Sequence, residues 1–111
     1  MGSTAEHQAL VKEILIEFGS KPYVRLWANN TGAVATKNRY VKFGLKGSSD
    51  IIGILNTGQF IGIEVKTGKS KQSPGQIAFQ NMLEKFGGVY ILARSTKDVQ
   101  VSIRQYSFQR Q

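Results

Sequence analysis

The residues in this sequence best suited to act together are Asp50, Glu64 and Lys66. Two carboxylates facing each other repel, and each is costly to bury unpaired. A hard divalent cation resolves that conflict, because Mg2+ favours a few carboxylate oxygens completed by water and substrate phosphate. Beside a phosphodiester, such a cation polarises the P–O bond, activates water and orients its attack. A lysine on the same face steadies the nucleophile or the charge that builds on the phosphate. The plainer readings are a solvated Glu64–Lys66 pair on a strand and an Asp50 that ends a turn after Ser48-Ser49.

Whether the three side chains meet depends on the strands that carry them. Residues 49–55 and 59–66 read as strands joined by Asn56-Thr57-Gly58. Such a loop suits a three-residue hairpin, a type I turn followed by a left-handed glycine bulge. It pairs Leu55 with Gln59, Ile54 with Phe60, Ile52 with Gly62 and Asp50 with Glu64. Cross-strand partners share a face, and strand alternation adds Lys66 to it. A one-residue slip would put the two acids on opposite faces. The other face carries Ile51, Leu55, Ile61, Ile63 and Val65. Apolar residues on both faces predict a central hairpin in a sheet covered on both sides.

The remaining elements frame that hairpin. Residues 3–18 predict an amphipathic helix through Leu10, Val11, Ile14, Leu15 and Phe18, with Ser3 and Glu6 at capping-box spacing and Gly19 as the stop. Residues 22–28 predict a strand, Asn29 to Gly32 a turn, and residues 33–43 a strand flanked by loop. Ser73-Pro74-Gly75-Gln76 opens a second helix with cap, proline and capping-box glutamine, and Gly87-Gly88 ends it. Residues 89–93 follow as a buried strand parallel to 60–66, because the helix between them is a crossover. Val99 to Ile103 predicts a last edge strand. The expected fold is α/β, a central mixed sheet flanked by helices in the order αβββαβ with that extra strand.

A length of 111 residues fits a single domain, residues 1–111. No window approaches a membrane span, and the N-terminus lacks the charged and apolar regions of a signal peptide, which predicts an intracellular, cytoplasmic protein without membrane contact. The absence of cysteine excludes disulfides and thiol nucleophiles. The formal charge is +8 and the pI near 10.0, a surface that attracts polyanions, nucleic acid above all. Lys37, Arg39, Lys42, Lys46, Lys69 and Lys71 surround the acidic pair in sequence and are candidates for gripping phosphates. Tyr40 and Phe43 among them read as packing residues before base-stacking ones. His7, the only histidine, lies on the apolar face of the first helix and reads as a core or cap-side residue. No G-x-G-x-x-G or Walker loop is present, so no nucleotide cofactor is expected.

Gly47-Ser48-Ser49-Asp50, Glu64-Val65-Lys66 and Ser73-Pro74-Gly75-Gln76, in that order, resemble the signature of the VRR-NUC (virus-type replication-repair nuclease) domain of the PD-(D/E)xK nuclease superfamily. The resemblance runs from Glu6 to about Arg94, with Ser49 where the superfamily name has proline. It implies a restriction-endonuclease-like core and Mg2+, with Mn2+ as a substitute, held by Asp50, Glu64, a backbone carbonyl of Val65 and Glu6. It further implies catalytic roles for Lys66 and for Gln76 at the mouth of the site. The capping box explains Gln76 equally well, and a helix start explains Glu6.

Stand-alone domains of this type resemble resolvases of four-way (Holliday) junctions, and origin in a virus or mobile element is implied the same way. Two symmetric cuts need two active sites and the chain holds one, so a homodimer follows if the junction is the substrate. Val99 to Gln111 and the aromatics Tyr23 and Trp27 are candidate dimer surfaces. Two alternatives stay open. One is a nuclease for flaps, nicked duplex or linear DNA; the other is a non-catalytic basic module that binds nucleic acid.

Overall fold

The computed structural model describes residues 4–107, without the side chains of 32–34, 41–43 and 107. Helix α1 (Ala5–Phe18) leads into β1 (Ser20–Lys21) and β2 (Val24–Ala28). A separate ribbon of β3 (Gly32–Ala35) and β4 (Tyr40–Phe43) precedes the hairpin of β5 (Ile51–Leu55) and β6 (Phe60–Val65). Helix α2 (Pro74–Lys85), β7 (Val89–Ala93) and helix α3 (Thr96–Ser107) complete the chain. The main sheet has the order β1-β2-β5-β6-β7, antiparallel except for the parallel β6–β7 pair that the α2 crossover creates. The protein is thus α/β, with a five-stranded mixed sheet and three helices.

The hairpin adopts the register its turn demands. Ile54 pairs with Phe60, Ile52 with Gly62 and Ile51 with Ile63, which sets Asp50 opposite Glu64 one step beyond the ladder. Gly58 has φ +90°, the left-handed conformation that makes the bulge. Ile51, Leu55, Ile61, Ile63 and Val65 are buried on one face against Leu10, Ile14 and Phe18 of α1 and Val99 and Ile103 of α3. On the other face α2 covers β7 and the middle of β6, with Phe79 and Leu83 buried. The cover stops there. Ile54 and Phe60 remain 47% and 42% exposed, so this face is only partly covered, against the expectation of two full layers.

Three local expectations are corrected. Residues 99–103 form part of α3 and not an edge strand. The alternation of Val99, Val101 and Ile103 suggested a strand, yet Val99 and Ile103 also stand one helical turn apart, and Val101 is exposed. The start signal was Ser95: its Oγ accepts the Asp98 N–H at 3.3 Å, and Asp98 accepts the Arg94 N–H at 2.8 Å. Residues 33–43 are two paired strands, because Thr36 closes a tight turn in which its hydroxyl donates to Arg39 O at 2.8 Å. The cap of α1 is Thr4, whose Oγ1 accepts the His7 N–H at 3.1 Å; Glu6 is therefore not at capping-box spacing, and Ser3 lies outside the described residues. Among the described residues no helix is long and apolar enough to cross a membrane.

Candidate active site

The site forms where the β5–β6 hairpin opens, at the end of the sheet away from its turn. Asp50 occupies the bend before β5. Asn29, just after β2, fixes that bend: its N–H donates to Asp50 O at 2.9 Å, and its Nδ2 donates to Ser48 Oγ at 2.7 Å and Ser49 O at 2.9 Å. Gly47 has φ +76° and lies so close to Gly75 at the start of α2 that a β-carbon would collide with the Gly75 carbonyl. The bend carrying Asp50 is therefore wedged between β2 and the N-terminus of α2. Asp50 Oδ2 accepts the Val65 N–H at 2.8 Å.

Glu64 is 2% exposed. Its Oε2 accepts from Gln76 Nε2 at 2.9 Å and lies 3.7 Å from Lys66 Nζ, while Oε1 is buried without a hydrogen-bond partner. Burial, and next the charge of Asp50, push the Glu64 carboxyl up to about 8; Lys66 opposes that rise. Lys66 Nζ donates to Gln76 Oε1 at 2.8 Å. The same Oε1 accepts the Ser73 N–H at 2.8 Å, and Ser73 Oγ accepts the Gln76 N–H at 3.2 Å. Gln76 is thus both capping-box partner and part of the acid–lysine network; the two readings are not exclusive.

Around this centre, Gln72 Nε2 donates to the Tyr90 hydroxyl at 3.1 Å and to Gln80 Oε1 at 3.0 Å. Burial pushes the Tyr90 hydroxyl up to about 12. Phe79 packs on Tyr90 with ring centroids 6.4 Å apart. Arg94 holds the loop between β6 and α2 through Gly68 O at 3.2 Å and Ser70 O at 2.7 Å.

The structure brings Asp50, Glu64, Val65, Lys66 and Gln76 together. Glu6 is exposed on the first turn of α1, and no hydrogen bond or ion pair joins it to these residues. Its neighbour His7 reaches the site, with Nε2 at 3.2 Å from Asp50 Oδ2. His7 is thus a cap-side residue, its N–H bonded to Thr4, whose ring also meets the site. Sequence reasoning placed His7 on the apolar face of α1 but missed this contact, because Asp50 is 43 positions away along the chain. It also missed Asn29, read only as a turn residue, and Arg94. Lys37 and Arg39 are exposed on the turn of the ribbon, Lys46 is exposed beside Gly75, and Lys69 and Lys71 are exposed in the loop before α2. The side chains of Lys42 and Phe43 lie outside the described residues. Tyr40 is exposed, against the expectation that it packs. Of the dimer surfaces considered, Trp27 is exposed, Tyr23 packs on the core, Val99 and Ile103 are buried within it, and 108–111 lie outside the described residues.

The donor set can be weighed against a divalent cation. Among the described residues no three His, Asp or Glu side chains stand as a ready metal cluster. Two carboxylates on one face, one of them with a buried oxygen lacking any partner, nevertheless suit a hard cation that takes its other ligands from water and phosphate. No protein-family model matches the chain, and no curated protein is significantly similar to it.

Proposed function

We propose that this protein is a metal-dependent DNA endonuclease with a restriction-endonuclease-like core of the VRR-NUC type, acting as a homodimer on four-way junctions. The observation that carries the reading is that Asp50 and Glu64 stand opposite each other on one sheet face while Gln76 joins Glu64 to Lys66, with Glu64 Oε1 buried and unpartnered. A carboxylate left in that state is costly, and a cation that both acids share removes the cost.

Asp50 and Glu64 would hold Mg2+, or Mn2+ in its place. When bound, the ion supplies Lewis-acid polarisation of the scissile phosphate and lowers the pKa of a ligated water. Lys66, held by Gln76, presents a positive charge to the phosphate as negative charge builds during attack. The Val65 N–H keeps Asp50 oriented, and the capping box keeps Gln76 from swinging away. Residues 29–49 contain Lys37, Arg39, Lys42 and Lys46 and no acid, and the ribbon they form is rooted by Asn29 in the Asp50 bend. That arrangement supports phosphate contacts on the approach to the cut. Dimerisation rests on symmetry: two cuts across a junction require two sites.

The test is gel cleavage of a labelled four-way junction and a matched linear duplex, with Mg2+, with EDTA, and with Glu64→Ala. Paired symmetric cuts in the junction alone, lost in EDTA and in the variant, are expected. Cutting of both substrates would keep the nuclease and remove junction specificity. Binding without scission, in Mn2+ as well, would leave a basic DNA-binding module.

A further inference from the structure

His7 has no part in the chemistry described above, yet it is the α1 residue that touches the site. His7 lies on the stripe of α1 that carries Leu10, Ile14 and Phe18 into the core, and there it meets Asp50, while Glu6 is exposed. His7 Nε2 is 3.2 Å from Asp50 Oδ2, the same oxygen that accepts the Val65 N–H at 2.8 Å. The other ring nitrogen, Nδ1, is buried and has no hydrogen-bond partner. A proton on Nδ1 would be an unsatisfied buried donor, costing ~1–3 kcal/mol. The ring proton therefore belongs on Nε2, where Asp50 accepts it.

We infer that His7 is a positioning residue for Asp50: its Nε2–H and the Val65 N–H together occupy Oδ2 and reserve Oδ1 for the cation. The inference rests on the metal-dependent reading and changes one part of it. Helix α1 contributes an imidazole that orients a ligand, where the resemblance would have Glu6 act as a ligand itself. An acceptor oxygen held by two donors has little freedom to rotate, so Asp50 is prepared before metal arrives.

The experiment is calorimetric titration of Mn2+ alone into the metal-free chain, its His7→Ala, His7→Gln, Glu6→Ala and Asp50→Asn variants. Loss of the orienting donor is expected to weaken Mn2+ binding about 10–100-fold in His7→Ala. His7→Gln, which can still donate, is expected to recover most of that loss. Long-range 1H–15N NMR of the wild-type ring should place its proton on Nε2. Wild-type affinity in His7→Ala, His7→Gln binding as weakly as His7→Ala, or an Nε2 that carries no proton would each overturn the inference. So would affinity lost in Glu6→Ala and kept in His7→Ala. If His7→Ala does not fold, the glutamine variant and the NMR tautomer decide. Wild-type Mn2+ binding that Asp50→Asn leaves unchanged, or no binding at all, would remove the metal reading and this inference with it. Binding abolished in Asp50→Asn but indifferent to His7 would remove the inference alone.

Discussion

Lys66 Nζ donates to Gln76 Oε1 at 2.8 Å, and the amide nitrogen of that same Gln76 donates to Glu64 Oε2 at 2.9 Å. One side chain at the start of α2 therefore holds both the lysine charge and the buried acid beside it. Because Oε1 also accepts the Ser73 N–H, the amide cannot flip without breaking the helix cap.

Gln76→Ala and Ser73→Ala should separate the two duties. Ser73→Ala removes a cap and should cost ~1 kcal/mol of stability with little change in cleavage rate. Gln76→Ala loses its share of the cap and also releases Lys66 and Glu64, and should slow cleavage by up to ~100-fold. Denaturant unfolding and single-turnover cleavage on both variants check this; equal rates would show that Gln76 serves the helix only.

The pH dependence of stability follows from Glu64. Its folded carboxyl titrates at about 8 against an ordinary 4.5, so across that window the folded chain holds a proton that the unfolded chain releases. The stability of the metal-free protein should be fully present below the lower value and fall as pH rises toward the upper one, by on the order of 5 kcal/mol. Thermal midpoints in EDTA from pH 5 to 8.5 test it, and Glu64→Gln should flatten the curve. A midpoint that rises through this window would contradict the assignment. In the proposed nuclease, divalent metal favours the ionised acid, so binding at pH 7 should release a proton.

Lys37 and Arg39 stand exposed on the ribbon turn. If they contact phosphates, Lys37→Ala and Arg39→Ala should each reduce the slope of log affinity against log salt by ~1, and weaken binding alike across sequences. Fluorescence anisotropy with duplex and junction DNA in EDTA measures this apart from cleavage. An unchanged slope would mean that the ribbon does not bear on DNA.

Asn29→Ala deletes the side-chain bonds to Ser48 and Ser49 that brace the Asp50 bend. Two such bonds contribute about 1–3 kcal/mol together. The variant should lose that stability and also bind metal more weakly, whereas Asn30→Ala, at an exposed neighbouring position, should do neither. Urea midpoints and Mn2+ titration of the two variants give the comparison.

Much of the arrangement around the acids was legible because hairpin chemistry is local. Asn56-Thr57-Gly58 dictates the turn, the turn dictates the register, and a side-chain period of two then carries Asp50, Glu64 and Lys66 to one face. Ser73-Pro74-Gly75-Gln76 marks the start of α2 in the same way, since every bond of its capping box spans three residues. The C-terminal segment was not legible. Val99, Val101 and Ile103 satisfy a strand period while Val99 and Ile103 satisfy a helical one, and the packing of α3 against β7 and α1 selected the helix.

Residue order and composition alone dictate which residue types stand near one another along the strands, the crossover that makes β7 parallel, and the run of basic residues that precedes Asp50. These depend on neighbours a few residues apart and on chain composition. Long-range packing is what brings Gln76 between Lys66 and Glu64, buries Glu64 with one oxygen unpaired, and sets His7 rather than Glu6 against Asp50. Those outcomes turn on the phase of α1 and the seating of α2 over the sheet. Both are set by packing between segments far apart in the chain, α1 against β6 and α3 among them, and no local pattern encodes them.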